Sequence, residues 1–211
     1  MHALIVVDIQ NDFLPGGALA VPDGDATIAV ANAVMPVFDV VVATQDWHPP
    51  GHHSFAVQHP GRRVGEVIEV GGVPQVLWPV HCVEATRGAA FAEALDVGRF
   101  TEVFKKGTDP EVDSYSGFFD NGRRHATGLG EWLRARRVTH VSVLGLATDY
   151  CVKFTALDAV DLGFHTRLIA DGCRAVELTP GDAARALAEL QAAGVEVVDS
   201  VAVLAAAGAA R

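Results

Sequence analysis

Three kinds of reactive side chain fall at the ends of apolar runs in this sequence, and each is placed where a ligand could reach it. Cys151 follows Val-Ser-Val-Leu-Gly-Leu-Ala-Thr (141–148) and opens a helical pattern, so free N–H groups and a positive field at the helix start could stabilise a thiolate or hold an oxyanion. Asp8 follows Ala-Leu-Ile-Val-Val (3–7), and Lys105 and Lys106 follow Thr-Glu-Val-Phe (101–104). An acid could take the thiol proton, and an ammonium could support the charges that result. Taken singly, these residues also read as a buried core thiol, a turn aspartate and a solvated lysine. Their joint placement is what suggests a Cys/Asp/Lys triad.

A second chemistry lies between residues 44 and 82. Five of the nine histidines, His48, His52, His53, His59 and His81, share this stretch with Asp46. In an extended segment, Asp46 and His48 project to the same side, and His81 could add a third ligand from the far end of the loop. Three protein ligands leave coordination positions open, as in catalytic metal sites. Loop histidines that cap backbone or face solvent are the competing reading.

The elements that must position these groups are short β-branched runs at 3–7, 40–43, 101–104, 141–146, 165–170 and 195–198, alternating with helical patterns at 25–37, 87–95, 125–137, 149–162 and 180–193. Thr179 before Pro180 is the expected N-cap of the last helix. Strands that are apolar throughout imply a parallel sheet covered on both faces. The expected fold is a three-layer, doubly wound α/β domain over residues 1–211, with a mainly parallel sheet of about six strands. Ligands of such sheets bind at the carboxyl ends of the strands, which marks Asp8, Asp46, Lys105, Lys106, Asp149, Cys151 and Asp171 as candidates.

Composition narrows the function. The 211 residues carry 16 Lys+Arg against 26 Asp+Glu, a formal charge of −10, which disfavours nucleic acid as a partner. Half the residues are hydrophobic and a fifth are charged, so the chain can build a core. Three cysteines, Cys82, Cys151 and Cys173, cannot form a fully paired disulfide framework, and the start lacks the pattern of a secretion signal. Apolar runs stop short of the ~18 residues that span a bilayer. A cytoplasmic protein that is not inserted in membranes is expected.

Five segments in order, Val7-Asp8-Ile9-Gln10-Asn11-Asp12-Phe13, Thr44-Gln45-Asp46-Trp47-His48-Pro49, Trp78-Pro79-Val80-His81-Cys82, Lys106-Gly107-Thr108 with Asp113-Ser114-Tyr115-Ser116-Gly117-Phe118, and Gly145 to Val152, give the sequence a clear resemblance to the nicotinamidases (pyrazinamidases), isochorismatase-like cysteine hydrolases. The resemblance implies a catalytic triad of Asp8, Lys106 and Cys151, with Lys106 preferred over Lys105 because a glycine follows it. It implies a divalent transition metal on Asp46, His48 and His81, with zinc favoured over iron or manganese, and a further ligand at His52 in preference to His53. It also implies a non-proline cis peptide at Leu146-Ala147, which aims the N–H groups of Ala147 and Cys151 at an oxyanion. Phe13 and Trp78 match the aromatics that sandwich the substrate ring, and Tyr115 and Tyr150 match positions that line the pocket. The implied reaction converts nicotinamide to nicotinic acid and ammonia in NAD salvage, with pyrazinamide as a further substrate. Two rivals are a cysteine amidase acting on a carbamoyl or ureido compound, whose relatives lack these metal elements, and a nonenzymatic nucleotide-binding module. Against the latter, Leu-Pro-Gly-Gly stands where a G-x-G-x-x-G would be needed.

Overall fold

The computed structural model describes residues 1–209. All six expected strands form: β1 (His2–Val7), β2 (Val40–Asp46), β5 (Glu102–Lys106), β6 (His140–Leu146), β7 (His165–Arg174) and β8 (Glu196–Val198). They make one parallel sheet in the order β5-β2-β1-β6-β7-β8. An antiparallel pair, β3 (Val67–Val70) with β4 (Val73–Val76), lies outside it. Ala3 to Val7 are fully buried, as a central strand between two helical layers requires.

The helices are α1 (Ala26–Val34), α2 (Leu129–Ala135), α3 (Lys153–Asp161), α4 (Asp182–Ala192) and α5 (Ser200–Ala209). From β1 to β2 the chain steps one way across the sheet, and from β6 to β7 and β8 it steps the other way. Right-handed crossovers in opposite directions place α1 on one face and α3 and α4 on the other. Small buried residues of α3, Thr155, Ala156 and Ala159, let it lie close on the strands. The direction of winding reverses between β1 and β6, so the crevice at their carboxyl ends is the expected ligand site of this topology. Asp8 and Cys151 flank that crevice.

Two expectations are corrected. The segment 87–95 is irregular, not helical. Its carbonyls are claimed by side chains from the sheet: Gln10 and Gln45 both donate to Ala89 O, and Asn11 donates to Arg87 O and Ala90 O. A carbonyl bonded in this way has no need of a partner one turn along its own chain. The last crossover helix starts at Asp182, not at a Thr179 cap. There the Glu177 carboxylate accepts the N–H groups of Gly181 and Ala183, in place of the expected threonine hydroxyl. The Leu146-Ala147 peptide bond is cis. Among the described residues, no helix is long and apolar enough to cross a membrane.

Candidate active site

At the carboxyl ends of β1, β2, β5 and β6, four ionisable side chains converge in a buried cluster. Lys106 ends β5 in register with Asp46 at the end of β2. An ammonium has three protons to give. Those of Lys106 go to Asp46 Oδ1 at 2.5 Å, Ser114 O at 2.8 Å and Cys151 Sγ at 3.4 Å. Asp8 Oδ2 sits 2.9 Å from the same nitrogen yet makes no hydrogen bond. It is a buried acceptor that receives no hydrogen bond, and ligand atoms of Asp8, Asp46 and Cys151 lie within 4.8 Å of one another. Thr44 donates to the other oxygen, Asp8 Oδ1, at 2.7 Å.

The electrostatics separate these groups into distinct states. Burial alone would raise both carboxyls and lower the lysine. Lys106, with help from His48 and His81, instead holds Asp46 far below the usual carboxylate range, and the two carboxylates keep Lys106 charged. Asp8 is left the weaker acid: burial, aided by the Asp46 charge, raises it to about 6 against the pull of Lys106. Burial also pushes the Cys151 thiol well above its ordinary range, with Lys106 pulling the other way and the nearby carboxylates adding to the rise. The resting group is therefore a thiol, even though Cys151 lies in the five-residue π turn (Thr148–Val152) that leads directly into α3.

Beside this cluster, the imidazoles of His48 and His81 face Asp46 Oδ2, at 3.6 and 3.9 Å from their Nε2 atoms. Each ring is oriented through its other nitrogen: His48 Nδ1 bonds Gly107 O at 2.8 Å, and His81 Nδ1 bonds Pro79 O at 2.8 Å. Gly107 has φ of +63°, and a side chain there would collide with the His48 ring. That explains the glycine after Lys106. Carbonyl-oriented rings presenting Nε2 to a shared centre are the arrangement metal-ligating histidines adopt. Burial and the neighbouring His48 lower His81 to about 4, keeping its lone pair free, while Asp46 overrides burial to raise His48. His48 Nε2 and His52 Nε2 are buried without partners. Asp46, His48 and His81 bring ligand atoms within 4.8 Å of one another, and so do His48, His52 and Asp113. These donors fit a divalent cation. His52 is fully buried, with Nδ1 on Ser54 Oγ at 2.7 Å, whereas His53 is half-buried and pairs with the His59 ring.

Both clusters open into one small cavity, lined by Cys151, Ala147, Asp46 and His81 on its polar side and by Phe13, Trp78, Tyr115 and Tyr150 with Leu19 and Val176 on its apolar side. Trp78 Nε1 donates to the Tyr115 hydroxyl at 3.2 Å, and the Trp78 and Tyr150 rings meet edge to face at 4.8 Å. Such a pocket suits a small flat aromatic amide. A larger and more open cleft lies along the β5 edge, behind Lys106, and does not reach the sulfur.

Two of the candidates lie elsewhere. Lys105 stacks over the Trp47 ring at 3.5 Å, and Asp171 accepts Ser200 N and Oγ at the start of α5. Asp149 accepts the N–H groups of Val176 and Glu177, fixing a wall of the cavity. Sequence reasoning passed over Gln10, whose amide brackets the Asp46 backbone, and Asp12, which accepts the Cys82 N–H beside His81. Both occur in the Val-Asp-Ile-Gln-Asn-Asp-Phe segment, and polar residues directly after a central strand were the available signal.

Residues 2–201 match the family model described as Isochorismatase domain. The nicotinamidase of Escherichia coli (strain K12) is 50% identical over 197 residues, covering 92% of each chain. The solved nicotinamidase/pyrazinamidase of Acinetobacter baumanii superposes with a TM-score of 0.92 at 44% identity, covering 95% of this chain and 96% of that one. A Pyrococcus horikoshii pyrazinamidase, solved in complex with zinc, gives 0.78 at 38% identity, covering 94% and 98%. The chain belongs to the isochorismatase family, within its nicotinamidase group.

Proposed function

We propose that this enzyme hydrolyses nicotinamide to nicotinic acid and ammonia, and pyrazinamide to pyrazinoic acid, through a thioester on Cys151. The observation that carries the reading is the convergence on Lys106 of the Cys151 thiol and an Asp8 oxygen that accepts no hydrogen bond, with ligand atoms of Asp8 and Cys151 within 4.8 Å of each other. Asp8 takes the Sγ proton as the sulfur attacks the carboxamide carbon, and Lys106 stabilises the charge on sulfur and carboxylates. The N–H groups of Ala147 and Cys151 receive the developing oxyanion. Asp8 returns its proton to the departing nitrogen, ammonia leaves, and the acyl group stays on sulfur. Water then gives a proton to Asp8 and attacks the thioester, and the released thiolate recovers that proton.

Asp46, His48 and His81 would hold a divalent cation, zinc in preference to iron or manganese, with His52 beside them. When bound, the cation supplies a Lewis-acidic position for the pyridine nitrogen. Phe13 and Trp78 sandwich the ring, and Tyr115 and Tyr150 close the pocket around it. The metal-competent donors support this reading over a carbamoyl or ureido substrate. The deciding experiment is ammonia release from nicotinamide, from pyrazinamide and from a carbamoyl compound, with and without a chelator. Turnover of nicotinamide that falls with chelation is expected, and activity confined to the carbamoyl compound would overturn the reading.

A further inference from the structure

Thr44 lies two residues before Asp46 on β2, is fully buried, and has no part in the chemistry above. Its hydroxyl makes the one hydrogen bond to the Asp8 carboxylate among the described residues, at 2.7 Å to Oδ1. All three Lys106 protons are directed elsewhere, so apart from the 2.9 Å charge contact of Oδ2 with the ammonium this bond alone fixes the carboxylate plane. The terminal torsion of an aspartate is soft and two-fold, and one directed bond to Oδ1 is enough to decide that Oδ2 is the oxygen left free beside Lys106 and the Cys151 cluster.

Thr44 is itself held. A Cβ built on Gly117 would lie 2.6 Å from Thr44 Cγ2, so the threonine methyl fills the space a side chain at 117 would need. Gly117 cannot retreat: its N–H donates to Thr155 Oγ1 at 2.9 Å, and its carbonyl accepts from Thr127 Oγ1 at 2.6 Å. Thr155 lies on α3, four residues beyond Cys151. A β-branched side chain has few rotamers, and with its methyl against Gly117, Thr44 turns its hydroxyl to Asp8.

We propose that Thr44 is a positioning residue for the Asp8 base, and that residue 117 is glycine because the Thr44 methyl must pack there to keep that hydroxyl aimed. This rests on the reading of Asp8 as the base. It accounts for a glycine in the 113–118 segment that neither binds substrate nor adopts a left-handed backbone.

The test measures kcat and KM for nicotinamide in Thr44→Val, Thr44→Ser, Gly117→Ala and the Thr44→Ser/Gly117→Ala double variant, with Asp8→Asn alongside. Thr44→Val should lower kcat by about 10- to 100-fold, with KM within about twofold. Thr44→Ser keeps the hydroxyl and should stay within about fivefold of the parent. Gly117→Ala should lower kcat, and the double variant should recover most of that loss, because serine lacks the methyl that a Cβ at position 117 would strike. Losses that simply add in the double variant, or parental kcat in Thr44→Val, would overturn the inference. Should Thr44→Val fail to fold, the double variant still decides. Retained turnover in Asp8→Asn would remove the base itself and this inference with it. A dead Asp8→Asn beside a fully active Thr44→Val removes this inference alone.

Discussion

The two ends of the same parallel sheet carry similar residues and do opposite things with them. At the carboxyl end, His48, His52 and His81 stand with Asp8, Asp46 and Lys106 in a buried cluster where three side-chain atoms lack partners. At the amino end, His2, His140 and His165 begin β1, β6 and β7 side by side in register, with the last two rings stacked at 4.6 Å. There the partners are ordinary: the His2 ring bonds the buried Ser142 Oγ, the Asp39 carboxylate accepts the His2 backbone N–H, and Arg167 pairs with Glu196 at the surface. Imidazole count does not distinguish the ends. What does is burial with unsatisfied polar atoms, a condition that calls for an explanation such as a bound ligand.

The contrast breaks most directly through Cys151. Cys151→Ala should cut ammonia release from nicotinamide by at least about 10³-fold while metal content, read by elemental analysis, stays at the parental level. His81→Ala should do the reverse in kind: metal affinity falls by more than about 100-fold, since a direct ligand counts for at least as much as its outer partners. Unchanged metal in purified His81→Ala would return the carboxyl-end histidines to the class of their amino-end counterparts. The paired control is His140→Ala/His165→Ala, for which kcat and metal content should both match the parent.

How much of this contrast can be read without coordinates depends on the kind of signal involved. The six strands are legible because a parallel sheet buried on both faces leaves runs such as Ala-Leu-Ile-Val-Val uniformly apolar, and the polar residue that ends each run marks the ligand edge. Asp8, Asp46, Lys106 and Cys151 are visible by that rule alone. The segment 87–95 is not, because its small apolar residues carry a helical period while Gln10, Asn11 and Gln45, distant in sequence, take its carbonyls. The β3–β4 pair and α5 also escape: the former lies outside the main sheet, and the latter is an alanine-rich stretch without a buried face. Residue types at the amino edge mislead for the same reason that Thr44 is missed. Whether His140 faces water or Thr44 faces a carboxylate is a property of register and packing, not of composition.

Acid should weaken the two ends differently. At the carboxyl end the base must be ionised, and Asp8 is raised to about 6 by burial and the neighbouring Asp46 charge against the pull of Lys106. The acid limb of kcat/KM should therefore fall about tenfold per pH unit below about 6. A limb at the ordinary carboxylate position near 4 would mean that Asp8 is not the proton acceptor.

At the amino end the effect is on stability and is smaller. Burial, with help from Arg167, His140 and the chain's amino group and against Asp39, lowers His2 from 6.5 to about 4. Between those values the unfolded chain holds a proton that the folded chain lacks. Stability contributed by neutral His2 is complete above about pH 6.5 and drains away as the pH falls toward 4. Because His2 is only half-buried, solvent screening limits the loss between pH 7 and pH 5 to about 1 kcal/mol. Denaturant midpoints at the two pH values should accordingly converge more closely in His2→Gln than in the parent, with activity at pH 7 unaffected. An equal pH response in both proteins would place His2 among the solvated histidines and leave the carboxyl end as the sole region of the sheet where burial changes what an imidazole does.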